Sequence, residues 1–184
     1  MDINYYETPF AHSIIDNFFD NDLLERVCNH ISELNCGLSK LPKDIEEVVR
    51  KDYCPTLEMI RYKLLPKMKY PWDNDDTPSD YIIWSNKMDP NKTHKIHQDS
   101  EWKRLSVVVY LGEKNCGTLF HESKLHKEAQ SEVEWKHNRA FAFVPGNNTW
   151  HSYRNTTDKP RETVLINMGD AKHPVFSEGN ELKY

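Results

Sequence analysis

The sequence predicts a mainly β protein with an α layer: a double-stranded β-helix, or jelly roll, packed against N-terminal helices. Three observations lead there. From Tyr81 onward, eight short runs rich in β-branched and aromatic residues alternate with turn signals. Residues 1–75 instead carry apolar side chains at helical spacing. In the longest strand runs one face is apolar and the other mixed, which suits a sheet with helices outside and a lined pocket inside.

The helical layer begins where Asp20 can cap a helix over Asn21 to Ile31, with Leu23, Val27 and Ile31 on one stripe and Gly37 closing it. A second helix is expected from Pro42 to about Tyr53, with Ile45, Val48 and Val49 inward. A third is expected from Thr56 to about Leu65, with Leu57, Ile60 and Leu64 inward. These stripes supply the apolar faces that cover a sheet, so 1–184 is expected to be one domain, with 1–75 as helical support and 81–170 as the jelly-roll core. The acidic, proline-bounded run Pro71 to Asp80 is expected to be a connector.

The strands are expected at Tyr81 to Ser85, Lys95 to Asp99, Arg104 to Leu111, Gly117 to His121, Glu132 to Trp135, Arg139 to Val144, Thr149 to Arg154 and Glu162 to Met168. In the third, Leu105, Val107, Val109 and Leu111 share one face, leaving Arg104, Ser106, Val108 and Tyr110 on the other. Tyr110 then points its hydroxyl inward or, equally well on this strand alone, into water at a sheet edge. The charged stretch Glu122 to Gln130 reads as a surface loop near the pocket mouth.

Within this frame one constellation carries chemistry. His97 and Asp99 form an H-x-D, and His151 follows the turn signal Pro145 to Asn148 on a later strand. With nine histidines in the chain the tripeptide is weak evidence alone, so its context has to carry the case. Two residues apart on an extended strand, His97 and Asp99 face the same way and one divalent ion can bridge them. Two neutral imidazoles and one carboxylate can hold a ferrous ion on one face and leave the other open, which a closed four-ligand site forbids. His12, His30, His121, His126, His137 and His173 show no such spacing and read as ordinary histidines.

Ten residues past His151, Arg161 opens the run to Met168. Alternation places Arg161, Thr163, Leu165 and Asn167 on one face and Glu162, Val164, Ile166 and Met168 on the other. A guanidinium fork beside a threonine hydroxyl suits a carboxylate. Standing alone, Arg161 is equally well read as a solvated loop end after Asp158 to Pro160.

Composition agrees with a soluble enzyme. The chain has 184 residues, 38% of them hydrophobic, enough for one domain with a core and a cleft. No stretch approaches the ~20 apolar residues of a bilayer span, and the first residues lack a signal peptide's pattern, so no membrane is expected and the location is expected to be cytoplasmic. Cys28, Cys36, Cys54 and Cys116 lack zinc-ribbon or C-x-x-C spacing and are expected to be reduced. A net charge of −5 argues against wholesale binding to nucleic acid, and none is expected as a partner. The sequence carries no signal for oligomeric state.

Taken together, His97 to Asp99, Arg104 to Leu111, Cys116 to Phe120, Asn138 to Val144, His151 and Arg161 to Thr163 resemble the Fe(II)- and 2-oxoglutarate-dependent dioxygenases, most closely their prolyl 4-hydroxylase-like branch. The likeness runs from about Tyr81 to Met168, and Pro9 to Phe19 is similar to the opening strand of that group. The resemblance implies that His97, Asp99 and His151 bind iron. It also implies that Arg161 holds the far carboxylate of 2-oxoglutarate, with Thr163 supporting Arg161 and Tyr110 donating to the same carboxylate. Two positions depart from the pattern: a glycine pair is Cys116-Gly117 here, and a common tyrosine three before the first metal ligand is His94. His94 reads equally as a pocket or a surface residue.

What the resemblance implies about activity is hydroxylation of an organic substrate, in first place a prolyl or other peptidyl residue and in second a small molecule. Fe(II), 2-oxoglutarate and O2 are consumed or used, succinate and CO2 are released, and ascorbate is allowed as an accessory reductant. The alternative is a non-catalytic, cupin-like metal-binding or 2-oxoglutarate-sensing module. Nucleic-acid dealkylation shares the iron ligands, but its differently spaced arginine pair and basic groove are not evident.

Overall fold

The computed structural model describes residues 1–67 and 78–176. Its elements run β1 (Asp2–Tyr6), β2 (His12–Asp16), α1 (Asn21–Glu33), β3 (Gly37–Lys40), α2 (Lys43–Val48), a π-helical turn (Val49–Tyr53) and α3 (Cys54–Leu64). There follow β4 (Ser79–Met88), β5 (Thr93–His97), β6 (Lys103–Leu111), β7 (Thr118–Phe120), β8 (Ser131–Val133), β9 (Arg139–Phe143), β10 (His151–Arg154) and β11 (Arg161–Asp170). The strands form two antiparallel sheets, one of seven in the order β1-β2-β9-β6-β11-β4-β3 and one of four in the order β5-β10-β7-β8. This is the mainly β, double-stranded β-helix architecture with helices on one side. Three strands, β1, β2 and β3, lie in the N-terminal part expected as helical support, β2 within the Pro9 to Phe19 segment expected as an opening strand, and they extend both edges of the larger sheet.

Helix α1 starts as its sequence dictates: the Asp20 carboxylate accepts from the Leu23 backbone N–H at 2.9 Å, and Leu23, Val27 and Ile31 are buried. Its end differs from expectation. The helix stops at Glu33 with Leu34 extended, and Gly37, at φ +140°, opens β3 instead of closing the helix. The two helices expected after Pro42 are continuous. Pro55 has no N–H and its ring would crowd the carbonyl four residues back, and the wider turn absorbs this, with the Cys54 N–H reaching the Val49 carbonyl. The turn also swings Tyr53 inward, where its hydroxyl donates to Asp20 Oδ2 at 2.7 Å and its ring packs on Phe18 and Phe19.

The helices cover one face of the larger sheet. Leu23, Val27, Ile31, Ile45, Val49, Leu57, Ile60 and Leu64 form a single apolar core with Leu105, Val107, Val109 and Leu111 of β6 and Val164, Ile166 and Met168 of β11. Burying each such side chain stabilises the fold by roughly 1.5–3 kcal/mol before entropy is counted. A second cluster lies on the other face: Phe10, Tyr110, Phe120, Val133, Trp135, Phe141 and Phe143. Asn138, at φ +60°, joins the halves: its Oδ1 accepts from Phe19 N–H at 2.9 Å and its Nδ2 donates to the Phe19 carbonyl at 2.8 Å.

Register fixes what lines the inner face. Thr163 sits opposite Tyr110 and Asn86, Leu165 opposite Val108 and Trp84, and Asn167 opposite Ser106 and Ile82. Of the connector expected from Pro71 to Asp80, positions 71–77 lie outside the described residues, and Ser79 and Asp80 already belong to β4. Among the described residues no helix is long and apolar enough to cross a membrane. All four cysteines are unpaired.

Candidate active site

His97 is the last residue of β5 and His151 the first of β10, and these two strands pair so that the two histidines are register partners. Their ring centroids lie 4.3 Å apart. Each Nδ1 lies 2.9 Å from a backbone carbonyl two residues back, of Lys95 for His97 and Thr149 for His151. A carbonyl can only accept, so each Nδ1 carries the proton and each Nε2 presents its lone pair. This is the arrangement of a neutral imidazole ligand oriented from behind.

Asp99 reaches the same point by a different route from the one expected. Strand β5 ends at His97, so the carboxylate is not aligned by strand pleating but lies in the chain beyond it. It is aimed by β6: Lys103 Nζ donates to Oδ1 at 2.8 Å and Ser106 Oγ donates to Oδ2 at 2.5 Å. Burial alone would raise this carboxyl's pKa, but the Lys103 ammonium and the two hydrogen bonds hold it well below the usual carboxylate range. One ligand atom from each of His97, Asp99 and His151 lies within 4.8 Å of the others, and no other group of three or more such residues among those described does so. The set of two neutral nitrogens and one anionic oxygen fits a divalent first-row metal such as Fe(II).

Arg161, at the start of β11, is 2% exposed. Its Nε donates to the Cys116 carbonyl over a long 3.4 Å, and its guanidinium carbon lies 4.0 Å from the Tyr153 ring centroid, 5.4 Å from that of Trp135 and 5.5 Å from that of Tyr110. No carboxylate among the described residues pairs with it. The Trp135 indole N–H beside it is buried without an acceptor. A buried cation among aromatic faces with spare donors around it fits an incoming carboxylate.

The remaining expected residues surround this cation. Thr163 is fully buried, opposite Tyr110 in the sheet, and its Oγ1 accepts from Asn86 Nδ2 at 3.4 Å. Tyr110 is buried rather than at a wet edge. Its hydroxyl donates to Thr118 Oγ1 at 2.7 Å, its ring stacks on Trp135, and burial pushes its pKa up to about 12. His94 lies beside the site, its ring 4.2 Å edge-on from His97 and stacked on Tyr153 at 5.4 Å. The loop Glu122 to Gln130 bounds a cavity of about 470 Å³ of its own, which none of the three clustered residues lines.

Sequence reasoning missed Tyr153, Lys103, Ser106 and Trp135 as parts of the site. For two of them a signal was present. Tyr153 stands two after His151 on a short strand, and Ser106 shares the mixed face of β6 with Tyr110. Lys103 stands four residues after Asp99, just outside the strand run whose faces alternate, and Trp135 comes to the site through tertiary contacts alone.

No family model matches the sequence and no curated protein matches it. Solved structures do match its fold. A viral collagen prolyl hydroxylase of Paramecium Bursaria Chlorella virus-1, solved as its 2OG complex, aligns with a TM-score of 0.63 at 13% identity, covering 88% of this chain and 96% of that one. The epimerase SnoN of nogalamycin biosynthesis, described as non-heme and alpha ketoglutarate dependent, aligns at 0.60 and 12%, covering 94% and 86%. A Trichoplax adhaerens prolyl hydroxylase, solved with a hypoxia inducible factor peptide fragment, aligns at 0.55 and 12%, covering 91% and 87%. The chain has the fold of the 2-oxoglutarate- and Fe(II)-dependent oxygenases, several prolyl hydroxylases among its structural neighbours, and it carries a candidate facial triad within that fold.

Proposed function

We propose that the chain is one domain acting as an Fe(II)- and 2-oxoglutarate-dependent dioxygenase, with His97, Asp99 and His151 as metal ligands and Arg161 as anchor of the co-substrate's far carboxylate. The observation that carries this reading is the buried Arg161, paired with no carboxylate among the described residues and joined through Tyr153 and His94 to the His97, Asp99 and His151 cluster. A metal site without a co-substrate has no use for such a cation.

The inner face is graded to suit a short dicarboxylate. Ser106, which holds Asp99, lies at one level of the sheet, Val108 with Leu165 at the next, and Tyr110 with Thr163 beyond them. Successive levels are about 6.6 Å apart. Polar ends with an apolar floor between them match two carboxyl-bearing ends joined by methylenes. Thr163 accepts from Asn86 and keeps its own O–H to donate, and the Tyr110 O–H chooses between Thr118 and the carboxylate. Phe10, Phe120, Phe141 and Phe143 are buried in the same cluster as Tyr110 and Trp135 and keep this side of the sheet apolar.

When bound, Fe(II) and 2-oxoglutarate supply the oxidation: one O2 and one 2-oxoglutarate give succinate, CO2 and one oxygen atom inserted into a substrate C–H bond. The chain orients these reactants through the two Nδ1-anchored imidazoles, the pinned carboxylate and the buried guanidinium. Ascorbate enters as an accessory reductant. The substrate class we favour is a peptide, with a prolyl residue as the target, because prolyl hydroxylases recur among proteins of this fold and one was solved with a peptide. A small molecule is the second reading, and the epimerase SnoN favours it.

The test is aerobic, ferrous turnover of 2-oxoglutarate. Succinate should form with wild-type protein and not with His151→Ala. Absence of both succinate and 2-oxoglutarate binding in the wild type would remove the enzyme reading.

A further inference from the structure

We propose that Lys103 sets how tightly the site holds its metal: its ammonium shares the Asp99 oxygen turned toward the His97 imidazole, so it weakens the carboxylate's grip on a dication while keeping it aimed. The inference rests on the reading of His97, Asp99 and His151 as ligands.

The two oxygens of Asp99 are not equivalent. Oδ2 is taken by Ser106 at 2.5 Å, whereas Oδ1 lies 4.0 Å from His97 Nε2 and 2.8 Å from Lys103 Nζ. The oxygen that faces His97 is therefore the one the ammonium holds. Both side chains are about nine-tenths buried, at 10% and 11% exposure, where charges act on one another more strongly than in water.

The contacts of Lys103 hold it at this oxygen. Asp99 is the carboxylate it pairs with among the described residues, its other neighbour is the Trp102 ring at 5.7 Å, and its backbone is fixed as the first residue of β6 opposite Gly169. An arriving dication meets two neutral imidazoles and a carboxylate whose charge a neighbour has already balanced. The ammonium repels that dication, and removing its charge while preserving the length and apolar bulk of the side chain strengthens metal binding.

The experiment is titration of the metal-free protein with Co(II) against a chromophoric chelator, with the visible absorption of bound Co(II) reporting its ligand set. Wild type, Lys103→Met, Lys103→Gln, Lys103→Arg and His151→Ala are compared, each checked for folding by circular dichroism. Lys103→Met and Lys103→Gln should bind Co(II) at least tenfold more tightly than wild type with the same absorption bands, and Lys103→Arg should bind like wild type. Equal or weaker binding by both uncharged variants overturns the inference while leaving the ligand assignment intact, provided His151→Ala loses Co(II). Wild type and His151→Ala binding alike, or neither binding, overturns the ligand assignment and this inference with it.

Discussion

The Tyr153 ring carries the Arg161 guanidinium 4.0 Å from its centroid and is stacked on the His94 ring, which in turn meets His97 edge-on at 4.2 Å. One aromatic residue thereby connects the candidate metal ligands to the buried cation. Its hydroxyl is kept neutral, since burial raises its pKa despite the nearby guanidinium.

That contact gives the first prediction. Cation–π contacts in desolvated settings contribute about 1–2 kcal/mol, so Tyr153→Ala should weaken 2-oxoglutarate binding roughly tenfold, while Tyr153→Phe keeps most of it. Equilibrium titration in the presence of Mn(II) checks this. Equal affinity in the alanine variant would show that the ring does not position Arg161.

Arg161 itself should matter more. A charge-assisted bidentate pair contributes about 1.5–3 kcal/mol, so Arg161→Met should lower 2-oxoglutarate affinity about 10- to 150-fold, and Arg161→Lys should recover only part because an ammonium lacks the planar fork. Metal affinity, measured separately, should change little.

Protonation of His151 gives a stability prediction. Burial chiefly pushes this imidazole down to about 4, despite the opposing pull of Asp99, and His94 moves in the same direction. An unfolded histidine takes up its proton near 6.5. Between these values the unfolded chain binds more protons than the folded one, so the metal-free protein loses stability as pH falls from about 6.5 to about 4, and the contribution is fully present above about 7. Urea midpoints at pH 7.5, 6.0 and 4.5 should fall in that order, less steeply in His151→Gln. A midpoint unchanged across this range would contradict the burial argument.

Asn138 offers a test away from the site. It holds a left-handed backbone conformation and ties the chain entering α1 to β9 through two side-chain hydrogen bonds to Phe19. Asn138→Ala should destabilise the fold by about 2–4 kcal/mol, losing both bonds and adding strain, and Asn138→Gly by less because glycine tolerates the conformation. Thermal or urea unfolding distinguishes them.

These residues also show where a sequence is readable. Strict alternation gave both faces of β6 and β11 correctly, because a strand buried on both sides forces every second residue to suit one environment. The stripe of α1 and its Asp20 cap were legible for the same local reason. Gly37 was misread because a glycine that opens a strand looks in one dimension like one that ends a helix. The π-helical turn before Pro55 was hidden because proline usually signals a break. Asp99 was brought to the His97 and His151 cluster for the wrong local reason: β5 stops at His97, and Lys103 and Ser106 of β6 do the aiming. Trp135 escaped because its neighbours are set by how the two sheets face each other, which no spacing along the chain encodes, and Lys103, only four residues from Asp99, because the strand was expected to begin one residue later.

Diffraction from crystals soaked with Mn(II) and 2-oxoglutarate under anaerobic conditions tests the central claim most directly. The account predicts an anomalous peak bonded to Nε2 of His97, Nε2 of His151 and Oδ1 of Asp99, with the distal carboxylate of the co-substrate on the Arg161 guanidinium. A peak elsewhere, or a co-substrate that leaves Arg161 untouched, would contradict it.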